Sequence, residues 1–122
     1  MRLRLAILSL LLFCSLITSC GPKHPGPEMT SGGVSFTFYA PTSKSVSIAG
    51  SFNAWSIQKD SLSGPDKNGI WSIVIPLPAG RYEYLFVVDG KKWQSDPSVP
   101  EVDDGFGEKN SVLVIGSDNP RL

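Results

Sequence analysis

Between Arg81 and Val88 the side chains alternate between two faces, Tyr82, Tyr84, Phe86 and Val88 on one and Glu83, Leu85 and Val87 on the other. A period of two in a run this rich in aromatic and β-branched residues predicts a strand and excludes a helix. The second face is itself partly apolar, so it is expected to be partly covered. Asp89-Gly90 follows at once as a hairpin signal, and the short segment from Lys91 to Gln94 returns from it.

The same period recurs along the chain. Val34, Phe36 and Phe38 alternate with Ser35, Thr37 and Tyr39; Val46 and Ile48 point inward between outward serines; Trp71, Ile73 and Ile75 form a third run, stopped by Pro76 and Pro78. Ser111 to Ile115 is a last strand of β-branched and aliphatic residues. Turn chemistry separates the runs: Ala40-Pro41-Thr42-Ser43, Gly64-Pro65-Asp66, Asn68-Gly69 and Ala79-Gly80, with a long loop rich in Pro, Gly and acidic residues from Ser95 to Lys109. Short strands at this spacing argue an all-β sandwich, with Trp71 in its core.

The first residues follow a different logic. Arg2 and Arg4 precede an apolar stretch from Leu5 to Ile17 that is too short for a membrane span. Leu16-Ile17-Thr18-Ser19-Cys20-Gly21 resembles the lipobox of bacterial lipoproteins. That resemblance implies a signal peptide over residues 1–19, cleavage before Cys20, and palmitate-type acyl chains on Cys20 that hold the protein at a lipid bilayer. Residues 20–33 then read as a flexible lipidated tether, 34–116 as the sandwich and 117–122 as a C-terminal tail. In bacterial lipoproteins an aspartate after the cysteine keeps some members at the inner membrane; with Gly21 in that place, the resemblance implies the bacterial cell envelope, on the periplasmic side of the outer membrane.

Charge and composition narrow the function. The chain of 122 residues holds 11 basic and 11 acidic side chains, without the basic run that would track a phosphate backbone, so no nucleic acid partner is expected. Cys14 leaves with the signal and Cys20 is the lipid site, so no thiol remains for a disulfide, a metal or a nucleophile. His24 is the only histidine and lies in the tether. The spacing of Glu83, Asp89, Asp96, Glu101 and Glu108 singles out no glycosidase-type pair, and Asp103-Asp104-Gly105 lacks the spaced oxygens of a calcium loop. Neither catalysis nor a cofactor nor a metal is expected.

Several motifs in order resemble one family: Gly50-Ser51-Phe52-Asn53-Ala54-Trp55, Leu77 to Tyr84, Phe86 to Gly90 with Trp93 behind it, Asp96-Pro97, and Asn110 opening the last strand. Together they resemble the glycogen-binding domain of the AMP-activated protein kinase β subunit, a member of carbohydrate-binding module family 48. The resemblance narrows the fold to an immunoglobulin-like (early-set) β-sandwich. It also implies a sugar site carried by Trp55, Trp93, Phe106 and Asn110, because an indole face suits the apolar face of a pyranose ring and an amide both donates to and accepts from hydroxyls. The family's lysine falls at Leu85, and Lys92 or Lys91 is expected to reach over from the turn in its place. The resulting expectation is a membrane-anchored lipoprotein with a non-catalytic module for α-glucan or a related envelope saccharide. The alternative is a structural or protein-interaction lipoprotein that engages an envelope protein through the same sandwich.

Overall fold

A computed structural model describes residues 26–117. The signal segment, Cys20, His24 and the tail beyond Ser117 lie outside the described residues. The described chain is all-β: β1 (Glu28–Thr30), β2 (Gly33–Tyr39), β3 (Val46–Gly50), β4 (Ile70–Ile75), β5 (Gly80–Val88), β6 (Lys92–Gln94), β7 (Glu101–Asp103) and β8 (Lys109–Ile115). A three-stranded sheet in the order β1-β2-β4 faces a five-stranded one in the order β3-β5-β8-β7, with β6 also on β5. Every pairing is antiparallel. This is the β-sandwich expected from the period of two.

Most of the core is made of inward residues that the alternation predicts; Ile73 and Tyr82 pack against it only partly buried, and Ala40 and Leu62 join it from outside the strands. Val34, Phe36 and Phe38 from β2 and Trp71 and Ile75 from β4 meet Val46 and Ile48 from β3, Tyr84, Phe86 and Val88 from β5, and Ile115 from β8. Side chains of this size each stabilise the fold by about 1.5–3 kcal/mol when fully buried. Their rings interlock: Phe36 meets Tyr84 edge-on at 5.1 Å and Phe38 meets Phe86 at 4.6 Å between centroids. Trp71 lies in the core, and its indole N–H donates to the Ala40 carbonyl at 2.8 Å.

β5 organises the larger sheet. Along one edge it pairs with β3, from Tyr84 to Val88. Along the other its first half pairs with β8, from Gly80 to Tyr84, and its second half with β6, from Phe86 to Val88.

Two local expectations are corrected, and one outward-facing residue is covered. The tether read down to Gly33 ends sooner, because Glu28–Thr30 pairs with Gly33–Ser35 as a hairpin closed by Thr30 Oγ1 donating to the Gly33 carbonyl at 2.8 Å. The loop from Ser95 to Lys109 contains β7, whose Val102 pairs with Asn110. Ser47 does lie on the outer face opposite Val87, as the alternation predicts, but it is buried there. The cause is the segment after the Trp55 turn, which runs alongside β3: Ile48 N–H donates to the Asp60 carbonyl at 3.0 Å and Leu62 N–H to the Val46 carbonyl at 2.8 Å.

Candidate functional site

β3 ends at Gly50, where a Cβ would stand 2.6 Å from the Glu83 carbonyl oxygen; only glycine permits that approach. The chain then reverses tightly. Phe52 turns inward and stacks on Phe36 at 6.0 Å. Asn53 is buried and holds the turn from within: its Oδ1 accepts from Gly50 N–H at 3.0 Å, and its Nδ2 donates to the Ile48 carbonyl at 2.9 Å and to Asp60 Oδ2 at 2.8 Å. Ala54 and Trp55 both adopt left-handed backbone, φ 56° and 59°, and Trp55 N–H closes onto the Gly50 carbonyl at 3.0 Å. The turn thus ends with the Trp55 side chain 37% exposed.

Trp93 is placed by a second turn. Asp89 and Gly90 both have positive φ, 54° and 68°, as a two-residue hairpin of the mirror-image type requires. Asp89 Oδ1 accepts from the Lys44 and Ser45 amides at 2.7 and 3.1 Å. These two N–H donors, with the Lys44 and Lys91 charges adding to them, hold its carboxyl below the usual carboxylate range. The resulting register sets Trp93 opposite Val87, on the outer face with Leu85, and leaves it 47% exposed.

The same register corrects the role expected of Lys92. Lys92 pairs with Val88, one residue out of phase with Trp93. It lines a separate hollow with Phe38, Tyr39, Ala40 and Ser43. Neighbours along a strand point to opposite faces, so Lys92 does not share a face with Trp93.

Asn110 reaches the outer face from β8. Its Nδ2 donates to Glu83 Oε1 at 3.3 Å, and Glu83 Oε2 receives Arg81 Nη1 at 2.9 Å. Glu83 is also tied to the Trp55 turn, because its backbone N–H donates to Ser51 Oγ at 3.2 Å and its carbonyl accepts from Ser51 N–H at 2.9 Å. It therefore links the Trp55 turn to Asn110. Its outward phase on β5 was the signal in the sequence that it belonged with the site.

Between Trp93 and the loop before β8 lies an open groove of about 750 Å³, lined by Leu85, Trp93, Ser95, Glu101, Asp104, Gly107, Glu108 and Lys109. Trp55 and Phe106 are not among its lining residues. Phe106 stands 91% exposed between two glycines of positive φ, at the tip of the loop. The adjacent acidic side chains hold that loop: Asp103 Oδ1 accepts from Gly105 N–H at 2.7 Å, and Asp104 Oδ1 accepts from Phe106 and Glu108 N–H at 2.7 and 3.1 Å. Among the described residues no group of three or more His, Cys, Asp or Glu side chains is placed to hold a metal ion. The groove offers apolar surface at Trp93 and Leu85, with the carboxylates of Glu101, Asp104 and Glu108 and the hydroxyl of Ser95 around it; Asn110 and Glu83 are not among its lining residues. Such a surface suits a neutral polyhydroxylated ring, with C–H groups on the indole and hydroxyls at its edge.

Residues 34–121 match the protein family described as the glycogen recognition site of AMP-activated protein kinase. Among curated proteins, the chain is 41% identical over 70 residues to Protein PTST homolog 2, chloroplastic, of Arabidopsis thaliana, a match covering 57% of this chain and 12% of that protein. It is 38% identical over 72 residues to 5'-AMP-activated protein kinase subunit beta-1 of Sus scrofa, covering 59% of this chain and 55% of that one. It is 28% identical over 99 residues to the 1,4-alpha-glucan branching enzyme GlgB of Corynebacterium jeikeium, covering 79% and 14%. The chain thus spans only part of the length of each of these relatives.

Proposed function

The chain belongs to the family of the glycogen recognition site of AMP-activated protein kinase, and from that membership we propose that it is a non-catalytic module that binds α-glucans on the outer face of its five-stranded sheet. The observation that carries this reading is the half-exposed Trp93, held by the Asp89-Gly90 turn beside Leu85 in the groove. The family's description as a glycogen recognition site and a relative named a 1,4-alpha-glucan branching enzyme support the ligand class.

The expected affinity is modest. Stacking on an aromatic face contributes about 1–3 kcal/mol per ring by analogy with nucleic-acid bases. The Trp93 indole, with a few hydrogen bonds to the polar side chains that line the groove, therefore sets Kd in roughly the millimolar range. Retention of the full chain on insoluble amylose or glycogen, in a detergent without a sugar headgroup, is the test. Recovery in the pellet that soluble maltoheptaose reverses is the expected result; a folded protein left wholly in the supernatant removes this reading.

The finer reading is a lipoprotein that displays the module in the bacterial envelope, anchored through Cys20 on the periplasmic side of the outer membrane. The lipobox-like run from Leu16 to Gly21 supports it. Metabolic labelling with an alkyne-palmitate analogue should mark the wild-type protein and not Cys20→Ser; equal labelling of both would exclude this anchor.

A further inference from the structure

Lys91, Lys92 and Lys109 stand in different places around the Trp93 end of the sheet, while Lys44 is held at the Asp89 turn through its amide. Lys91 is in the hairpin turn, where its N–H bonds the Val88 carbonyl at 3.1 Å. Lys92 lines the hollow beside Phe38 and Tyr39. Lys109 opens β8 opposite Asp103 and lines the groove with Leu85 and Trp93. Resting on the reading of that groove as an α-glucan site, we propose that Lys109 is its cationic binding residue, donating from its ammonium to oxygens of a glucan stacked on Trp93.

Two further observations support this assignment. The loop leading to Lys109 is closed on itself, since Asp104 N–H donates to the Glu108 carbonyl at 2.9 Å and Asp104 Oδ1 accepts from two amides of the same loop. Lys109 therefore lines the groove from an anchored backbone, where β8 has only just begun. The charge is also uncommitted at contact distance: among the described residues the only ion pair joins Arg81 to Glu83 at 2.9 Å, and neither Glu101 nor Glu108 pairs with Lys109. An ammonium offers three donors and no acceptor, whereas carboxylates only accept. Sugar hydroxyls do both, so a groove carrying Lys109 beside Glu101 and Glu108 can satisfy a hydroxyl in either sense.

The test is calorimetric titration of the full chain with maltoheptaose, comparing wild type with Lys109→Met, Lys109→Arg and Lys92→Met, each checked by urea unfolding. Methionine keeps the apolar stem and removes the charge. Lys109→Met should weaken binding about tenfold or more, as loss of a hydrogen bond from a charged donor does. Lys109→Arg should stay within a few-fold of wild type, Lys92→Met should bind as wild type does, and all unfolding midpoints should coincide. Binding by Lys109→Met within twofold of wild type would overturn the assignment and leave the glucan reading intact. Absence of maltoheptaose binding by the folded wild type would overturn both.

Discussion

The phenol of Tyr84 donates to Asp96 Oδ2 at 2.7 Å, and both residues are fully buried. Asp96 Oδ1 accepts from the amide and hydroxyl of Ser98, at 2.9 and 2.5 Å, while Asp96 N–H donates to Ser111 Oγ at 2.7 Å. The segment after Trp93 is thereby tied to β5 and β8 through the core. A buried carboxylate is tolerated because each of its oxygens has a donor.

Tyr84→Phe removes one donor and leaves Asp96 Oδ2 short of a partner, which should cost about 1–3 kcal/mol in urea unfolding. Its pH dependence has a definite sign. Burial, then the Asp96 charge and the hydrogen bond to it, push the Tyr84 phenol well above its usual value of 10.0. A raised value means that this contribution is complete below pH 10 and is lost as the pH climbs, because the unfolded chain ionises first. The wild-type protein should therefore lose stability above pH 10 more steeply than Tyr84→Phe. Parallel alkaline decline in the two proteins would count against the buried phenol.

Trp93 and Trp71 should separate binding from folding. Trp93 is half exposed, so Trp93→Ala should cost the fold about 1 kcal/mol or less while weakening retention on amylose by the equivalent of about 1–3 kcal/mol. Trp71 is 5% exposed and packed in the core, and Trp71→Ala should cost about 3–5 kcal/mol of stability. Unfolding curves beside the sedimentation assay check both. A Trp93→Ala protein that still pellets fully with amylose would show that this indole is not the platform.

What was legible in the sequence was whatever a period of two encodes. Tyr84, Phe86 and Val88 against Glu83 and Leu85, Trp71 in mid-pattern, and the Asp89-Gly90 reversal all appear in the structure where the alternation and the turn chemistry put them. The elements that escaped carry no such signal. Glu28–Thr30 is exposed along its whole length and has no buried face to imprint a pattern. β7 is built on Glu101 and Asp103, residue types disfavoured in strands. Ser47 is buried by a non-periodic segment at Asp60 and Leu62, which only the tertiary structure brings alongside. Lys92 and Lys109 differ in destination because of register and loop closure, and neither is written in the lysines themselves.

The turn that carries Trp55 stores backbone strain at Ala54. A left-handed alanine costs about 1–2 kcal/mol, and glycine adopts that region freely. Against this, glycine adds freedom to the unfolded chain, worth about 0.4–1 kcal/mol. Ala54→Gly should thus leave stability unchanged or raise it by up to about 1.6 kcal/mol, although alanine-to-glycine changes ordinarily destabilise. Asn53→Ala should act in the opposite direction, because it strands the Gly50 amide and the Ile48 carbonyl; about 2–4 kcal/mol is expected. Chemical unfolding of the two variants checks the contrast, and a destabilised Ala54→Gly would show that the turn does not strain its alanine.

Acid should loosen the other turn. The carboxyl of Asp89 is held low by the Lys44 and Ser45 amides that it accepts from, so its contribution to folding is complete above the usual carboxylate range and is lost as the pH falls through the depressed folded value. Protonation weakens two charge-assisted hydrogen bonds that set where β6 begins, and with it the register that puts Trp93 opposite Val87. Asp89→Asn keeps an acceptor oxygen and a side chain that tolerates the φ of 54°, while removing the charge. Stability measured from pH 7 down to pH 2 should fall less steeply in Asp89→Asn than in wild type, with the variant already the less stable at neutral pH. Identical slopes would mean that Asp89 holds the turn by shape alone.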